Sequence, residues 1–193
     1  MSKTREMLID VARQLFAKSG VENTTMNDIA LASQKGRRTL YTYFKSKNEV
    51  YWAVVESELD HILRSLQEMA DQDLSPEKKL VNYIYARMEA MKEAVLRNGT
   101  LRAEFFRDIW KVEQARKYMD LREIQLIKGI LDEGVNKNVF AITNTSITAS
   151  IVHYALKGLD VPYIKGHFNE SKIDKSSLKN YIMNFILNGI KKQ

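Results

Sequence analysis

Apolar residues recur at helical spacing along most of the chain, and short polar clusters interrupt them. In the first segment they fall at positions i, i+3, i+4, i+7 and i+8, namely Leu8, Val11, Ala12, Leu15 and Phe16. This spacing places them on one face of a helix over about residues 3–18, and the glycine at position 20 favours its end.

Two shorter helical patterns follow the first one. Thr25 and Asp28 have the spacing of a capping box, which predicts the start of a helix two to three turns long. Gly36 then interrupts the pattern, and Leu40 and Phe44 share one face of a third helix. Two short helices joined by a tight glycine-bearing turn form a helix-turn-helix.

The rest of the chain predicts further helices with clear boundaries. Ser46 and Glu49 form a second capping box, and Ser75 with Pro76 starts the helix that ends near residues 98–99. We expect a shorter helix over residues 100–110, a long one from about 112 to 133 ending near Gly134, a helix from about residue 145 to 159, a loop over 158–171 and a last helix after it. The predicted fold is therefore all-α, with an N-terminal domain over residues 1–48 and a larger helical domain over 49–193.

Composition narrows the class of protein. The 193 residues are 45% hydrophobic with only two prolines and eight glycines, which is typical of a packed helical protein. The chain has no cysteine, which excludes disulfides, and no apolar run long enough for a membrane span or a signal peptide, so we expect a cytoplasmic protein without membrane partners. Of the net charge of +6, residues 1–48 carry +5, which favours a nucleic-acid partner for the N-terminal domain.

The third helix carries side chains that suit DNA on the face opposite Leu40 and Phe44. Arg38, Thr39 and Thr42 point outward, and Arg37 and Tyr41 flank them. Arginine bonds guanine O6 and N7 with two donors, threonine suits bases in the groove, and tyrosine donates to phosphate. A basic helix face taken alone is more often only solvated surface, and it is the ordered set of helix signals around it that favours DNA.

Two helices near the C-terminus are unusually apolar. Residues 145–159 carry apolar side chains almost all round the helix axis, which predicts burial on two sides. The last helix has one wide apolar stripe, which suits either the core of one chain or an interface between two chains. Helix-turn-helix regulators usually pair on a symmetric site, which favours the interface.

The middle of the chain is rich in aromatic and methionine side chains that suit either an ordinary core or a ligand pocket. Arg87, Arg102 and Arg107 offer charge for an anionic group, although we expect all three to be exposed to solvent. Catalysis has little support, because His61, His153 and His167 lack metal-ligand spacing and no nucleophile or phosphate-binding motif is present. We expect His153 to be a core or pocket histidine, and we expect neither a metal nor a cofactor.

The segment TTMNDIALASQKGRRTLYTYFKSKNEV, residues 24–50, resembles the DNA-binding domain of the tetracycline-repressor (TetR) family of bacterial regulators. The resemblance covers roughly residues 5–60. Where that family usually has Ala-Gly-Val-Ser, this chain has Ser33-Gln34-Lys35-Gly36, so a glycine replaces the usual serine cap of the recognition helix.

The resemblance implies roles for particular residues. Tyr41 and Lys47 would bind phosphates, and Asn27 would reach the groove from the preceding helix. Arg37, Arg38 and Thr39 would lie where the family touches bases or adjacent phosphates. The full predicted DNA-binding set is Thr25, Asn27, Lys35, Arg37, Arg38, Thr39, Tyr41, Thr42, Tyr43 and Lys47.

The resemblance also implies a homodimer formed through the last two helices, a small-molecule effector and a palindromic operator that is released when the effector binds. The predicted interface residues are Ile151, Leu178, Tyr181, Ile182, Phe185, Ile186 and Gly189. The predicted pocket residues, for a small and largely apolar effector, are Tyr83, Met88, Met91, Phe105, Phe106, Trp110, Tyr118, His153 and Tyr154. The alternative is a DNA-binding protein without small-molecule input.

Overall fold

The computed structural model describes residues 2–97, 109–165 and 175–190, and within these ranges the chain is helical. Eight helices are described, numbered here in chain order: α1 (Lys3–Ser19), α2 (Met26–Ala32), α3 (Arg37–Tyr43), α4 (Lys47–Ala70), α5 (Pro76–Arg97), α6 (Ile109–Asn136), α7 (Thr145–Lys165) and α8 (Lys175–Ile190). The all-α prediction is confirmed. None of these helices is long and apolar enough to cross a membrane.

The chain divides into two compact units. Unit 1 comprises residues 1–61 and 93–116, and unit 2 comprises residues 62–92 and 117–193. The division into functional domains over 1–48 and 49–193 stays a prediction.

Unit 1 has an apolar core to which its first four helices all contribute. Leu8 and Phe16 of α1, Ile29 of α2, Leu40 of α3 and Val50 of α4 are all completely buried. The predicted stripe of α1 therefore does pack inward, and α2 contacts both α1 and α3. This core fixes the angle at which α3 lies on the surface of the unit.

Local signals start and end the first helices as the sequence predicts. Thr25 Oγ1 accepts from the backbone N–H of Asp28 at 3.1 Å, and the Thr25 N–H donates back to the Asp28 carboxylate at 2.8 Å. The Thr25 hydroxyl, which donates to the Asp28 carboxylate at 2.7 Å, and the Thr25 N–H together lower the pKa of Asp28. Gly20 follows α1 with a φ of 84°, a left-handed value that glycine adopts at little cost.

The turn between α2 and α3 differs from the prediction in one respect. The residue with a left-handed backbone is Gln34, at a φ of 54°, whereas Gly36 has an ordinary φ of −64°. The N–H groups of Gln34 and Lys35 donate to the carbonyls of Leu31 and Ala30, which is the Schellman pattern of a helix end. Gly36 is the N-cap of α3 and makes no side-chain cap hydrogen bond, as its lack of a side chain requires.

The core of unit 2 comes from α4 to α8. Leu66, Leu80, Ile84, Ile127 and Leu131 are completely buried.

Gly134 has a different role from the predicted helix stop. Helix α6 continues through it to Asn136, and the left-handed residue beyond the end is Asn138, at a φ of 59°. A Cβ on Gly134 would lie 2.0 Å from the buried ring of Phe140. Gly134 is therefore the small residue against which Phe140 packs.

The predicted loop over residues 158–171 is wrong for its first half, because α7 runs on to Lys165 with Pro162 inside it. Leu156, Asp160 and Tyr163 are buried at positions i, i+4 and i+7, so one helix face continues through the proline. Packing on that face outweighs the hydrogen bond that Pro162 cannot make. The remainder of that loop, and residues 100–108 of the predicted short helix, lie outside the described residues, while residues 109–110 already belong to α6.

Candidate nucleic-acid interface

Helix α3 presents an exposed basic face above a buried apolar one. Arg37, Arg38 and Thr42 are exposed, and the Tyr41 side chain is half exposed. Leu40 on the opposite side is fully buried, and Phe44 is buried directly after the helix. The outward direction predicted for these side chains is therefore confirmed, with Thr39 half-buried between the two faces.

Asn27 and Arg37 link α2 to α3 across the turn. Arg37 Nε donates to Asn27 Oδ1 at 2.7 Å. Nearby, Thr25 caps α2 and Lys35 is exposed in the turn. The hydroxyl of Thr42 donates to the carbonyl of Arg38 on its own helix, at 2.9 Å.

Lys47 opens α4 and is tied to a distant part of unit 1. Its Nζ donates to the carbonyls of Val21 and Glu22, at 2.7 and 3.2 Å. Since an ammonium group has three N–H donors, one remains for another acceptor. The second predicted capping box is present in altered form, because Glu49 N–H donates to Ser46 Oγ while the Glu49 carboxylate accepts from Lys45 N–H.

Tyr43 is half-buried at the end of α3. Beside it, the guanidinium of Arg5 lies 5.2 Å from the centre of the Phe44 ring, a cation–π contact that joins α1 to the end of α3. Sequence reasoning missed this contact, because nothing in the local pattern around Arg5 identifies a partner 39 positions away.

Unit 2 contains a buried charged cluster that the sequence analysis did not predict. Arg87 of α5 is fully buried, so the expected exposure of this residue is wrong. Its Nε donates to Glu123 of α6 at 2.7 Å, and its two terminal nitrogens donate to Asp160 of α7 at 2.6 and 3.2 Å. Burial of the arginine is possible because two carboxylates neutralise it. Arg102 and Arg107, the other two arginines expected to be exposed, lie outside the described residues.

His153 of α7 is fully buried next to this cluster. Its Nδ1 lies 3.3 Å from Glu123 Oε2, and its Nε2 lies 3.4 Å from Asp120 Oδ1, while Lys157 donates to the other oxygen of Asp120 at 2.7 Å. Burial opposes ionisation of the imidazole, but the two carboxylates outweigh it and raise the pKa of His153. Burial likewise opposes ionisation of Asp120, and His153 and Lys157 lower its pKa to about 2.

Five buried polar atoms in and beside this cluster have no hydrogen-bond partner among the described residues, namely Tyr83 Oη, Glu123 Oε1, Asp120 Oδ1 and the two ring nitrogens of His153. Burial, together with the charge of Glu123, raises the pKa of the Tyr83 hydroxyl. Buried polar atoms usually have a partner, so Tyr83 Oη and Glu123 Oε1 are candidates to contact an additional polar group.

The predicted pocket residues are only partly brought together. Tyr83, Met88, Met91 and His153 are buried within unit 2, whereas Tyr118 and Tyr154 are 63% and 59% exposed and lie on its surface. Trp110 lies in the first turn of α6, and Phe105 and Phe106 are outside the described residues.

The predicted interface residues include a group with unusual exposure. Ile151 is 64% exposed, Tyr181 64% and Phe185 82%, while Leu178 and Ile186 are buried. Ile182 is half-buried and Gly189 is exposed. In the single chain one side of α7 faces solvent, where Ile147, Ile151 and Tyr154 line a groove with Ser146 and Ser150. Burial of that side against a second chain stays a prediction.

Comparison with known proteins agrees with this arrangement. Residues 8–54 match the family model described as bacterial regulatory proteins, tetR family. The HTH-type transcriptional regulator YfiR of Bacillus subtilis is 25% identical over 180 residues, which are 91% of this chain and 86% of that protein.

Solved structures show the same fold. The crystal structure of a transcriptional regulator from Cytophaga hutchinsonii superposes with a TM-score of 0.75 at 22% identity, covering 97% of this chain and 98% of that one. The structure of the flavonoid-responsive regulator FrrA has a TM-score of 0.68 at 18% identity, covering 99% and 98% of the two chains. The family match falls on the helices whose basic face is described above, so the N-terminal part of the chain resembles the DNA-binding part of tetR-family bacterial regulatory proteins, and the chain as a whole is similar to bacterial transcriptional regulators.

Proposed function

We propose that the protein binds a palindromic DNA operator as a homodimer and represses transcription until a small molecule in unit 2 releases it. The observation that carries the DNA-binding part is the exposed face of α3, which presents Arg37, Arg38, Tyr41 and Thr42. Leu40 is buried on the opposite side and anchors the helix. A seven-residue helix with arginines in its first turn fits the major groove, where arginine reads guanine.

Phosphate contacts would orient α3 on the duplex. Tyr41 is half exposed, and Lys47 lies at the N-terminus of α4, where backbone N–H groups of the first turn also favour an anion. Lys47 contributes in two ways in this proposal, because it ties α4 to residues 21–22 and keeps one donor for phosphate. Thr25, Asn27, Lys35, Thr39 and Tyr43 complete the proposed surface.

The DNA-binding proposal is tested by the double variant Arg37→Ala/Arg38→Ala. We expect it to lose operator preference, since each bidentate contact contributes about 1–3 kcal/mol of discrimination, and to have a weaker salt dependence. Fluorescence anisotropy with selected and random duplexes at several salt concentrations measures both effects. Lys137→Ala, which removes an exposed cation from unit 2, is the control and should bind as the parent does. Parent-like affinity and selectivity in the double variant would exclude α3 as the reading helix.

The homodimer proposal rests on the exposed apolar side chains of α7 and α8. Exposed apolar surface of this kind often marks an interface, and a palindromic site requires two copies of α3. Phe185→Glu should split the dimer, because an unpaired charge in an apolar interface is costly. Gln125→Glu, which adds the same charge at an exposed polar position of α6, should leave it intact. A parent that sediments as a monomer at micromolar concentration would contradict the proposal.

The effector proposal rests on the interior of unit 2. Buried Tyr83, Met88 and Met91 supply apolar bulk, and the unpartnered Tyr83 hydroxyl and Glu123 Oε1 supply polar contacts for a largely apolar molecule. The structural neighbour FrrA is a flavonoid-responsive regulator, which makes aromatic hydroxylated compounds the first class to test. Release requires that the effector prefer the conformation with lower DNA affinity.

A thermal-shift screen of such compounds, followed by anisotropy with operator DNA, tests this part separately from DNA binding. An effector should raise the midpoint of unfolding and weaken operator binding, and Tyr83→Phe should reduce both effects. If no compound in a broad screen changes operator affinity, the alternative of a DNA-binding protein without small-molecule input is favoured.

A further inference from the structure

The two adjacent arginines at the start of α3 differ in their side-chain hydrogen bonding. Arg37 is the first residue of α3 and Asn27 the second of α2, and they meet at 2.7 Å across ten positions of chain. Within residues 2–97, no comparable hydrogen bond from the guanidinium of Arg38 is found, although both arginines are exposed. Arg37 is therefore held in one direction before any partner arrives.

The atom used in this hydrogen bond determines what Arg37 can still do. A guanidinium group has five N–H donors, and Asn27 occupies the one on Nε. The four donors on the two terminal nitrogens stay available, and they form the end of the group that bonds guanine O6 and N7 together. Asn27 thus leaves free the pair of donors that reads guanine and fixes the plane in which they lie.

Asn27 itself is firmly placed. The capping box of Thr25 and Asp28 surrounds it at the start of α2, and the hydrogen-bonded turn after Ser33 sets the path from α2 to α3. An arginine ordered in the free protein loses less side-chain entropy on binding, so its preference for one base is stronger. Asn27 is half-buried, which limits its own reach toward DNA.

We propose that Asn27 is a positioning residue that acts through Arg37 and sets its guanidinium for bidentate bonding to a guanine in the operator half-site. This inference rests on the proposed operator binding. It assigns base selectivity to a residue that need not touch a base, and it predicts that the half-site has a guanine under the start of α3.

The experiment first selects operators from a random duplex pool with the parent protein and with Arg37→Ala. The base pair at which only the parent has a preference is the position that Arg37 reads. Operators with guanine or 7-deazaguanine at that position then differ by one acceptor, N7. The parent should bind the guanine operator about tenfold more tightly.

Two variants of Asn27 separate positioning from a structural role. Asn27→Leu has a similar size without the acceptor oxygen, and it should lose most of this tenfold discrimination while the thermal midpoint stays near that of the parent. Asn27→Asp keeps an oxygen for Arg37 Nε, so it should retain the discrimination while its added negative charge weakens binding to every duplex. If Asn27→Leu does not fold, Asn27→Ala takes its place in the same comparison.

The results that overturn the inference are specific. Parent-like discrimination by Asn27→Leu or its replacement, or an Arg37→Ala variant that keeps every base preference of the parent, would show that Asn27 does not act through Arg37. A parent that selects no sequence at all would overturn the proposed operator binding itself, which distinguishes the two failures.

Discussion

Unit 2 buries charged side chains in its core, whereas the core of unit 1 is apolar at its completely buried positions. In unit 1 the core positions Leu8, Phe16 and Leu40 are apolar, and the arginines of α3 face solvent. Unit 2 instead buries Arg87 and Glu123 completely. Charges that face outward are available to a partner, whereas charges in a core are stable only when other parts of the same chain pair them.

The two units also differ in how far apart in the sequence their interacting residues lie. The capping box of unit 1 joins residues three positions apart, and its reading is possible from a short stretch of sequence. The partners of Arg87 lie 36 and 73 positions away, on two other helices. A buried arginine and an exposed one therefore look alike in the local sequence, and only the fold distinguishes them.

The largest effect should come from breaking the buried cluster of unit 2. Replacing Arg87 with Met removes the buried positive charge that pairs with Glu123 and Asp160, which should cost about 3–5 kcal/mol of unfolding free energy. Urea unfolding followed by circular dichroism measures the loss. Lys137→Met removes the cation of an exposed pair in the same unit and should cost at most about 1 kcal/mol.

A second variant shows whether unpaired charge is the cause. Arg87→Met combined with Glu123→Gln and Asp160→Asn removes the charges together and should recover part of the lost free energy. Equal unfolding midpoints for Arg87→Met and Lys137→Met would contradict the contrast between the two units.

Two glycines of α6 test, without any change of charge, how strongly a contact from beyond the helix end determines stability. Gly134→Ala places a Cβ 2.0 Å from the Phe140 ring and should cost about 1–3 kcal/mol through overpacking. Gly129→Ala, five positions earlier in the same helix, has no atom within 4 Å of the new Cβ and should stabilise by about 1 kcal/mol. Opposite signs in urea unfolding are expected, and a gain for both would show that Phe140 moves aside freely.

The stability of unit 2 should depend on pH through His153. Asp120 and Glu123 flank its ring, so the imidazolium is the form that these carboxylates favour. Lys157 donates to the other oxygen of Asp120, and Arg87 donates to the same Glu123 oxygen that His153 faces. The pKa of His153 is raised in the folded protein, so its contribution is fully present below the unfolded value of about 6.5 and is lost as pH rises through the folded value. The unfolding free energy should therefore fall as pH rises above about 6.5.

Two histidine variants isolate this effect. His153→Gln should remove the dependence, since its side chain does not titrate, and the difference between parent and variant across pH is the measured quantity. His61→Gln, at an exposed position of unit 1, should leave the dependence in place. A parent and a His153→Gln variant with parallel pH profiles would show that the proton on His153 does not stabilise the fold.

The sequence predicted most of the fold because most helix boundaries are local. Thr25, Asp28 and Gly20 identify their helix ends by residue type and spacing alone. It failed where packing overrides a local signal, as at Pro162, whose helix continues because Tyr163 and Asp160 extend a buried face. The role of Gly134 was hidden for the same reason, since its close neighbour Phe140 comes from beyond the helix end.

The candidate sites likewise contain some features that the sequence predicts and others that only the fold reveals. The outward direction of Arg37, Arg38 and Tyr41 follows from helical periodicity, so it was predictable. The hydrogen bond of Arg37 to Asn27 and the tie of Lys47 to residues 21–22 depend on how helices cross, and no spacing rule reveals them. In unit 2, periodicity alone could not separate buried Tyr83 from exposed Tyr118.

The smallest expected effect concerns the turn between α2 and α3. It shows whether the residue types in the turn are enough to determine its backbone conformation. Gln34 has the left-handed backbone in this turn, so Gln34→Gly should stabilise unit 1, by at most about 1 kcal/mol because glycine also raises the entropy of the unfolded chain. Gly36→Ala changes a residue with a φ of −64° and open space around its Cα, so it should alter the unfolding free energy little. Gln34→Ala keeps the Cβ and should give no gain. If Gly36→Ala destabilises more than Gln34→Ala, the strain lies at the glycine that the sequence indicated, and the turn follows its local signal after all.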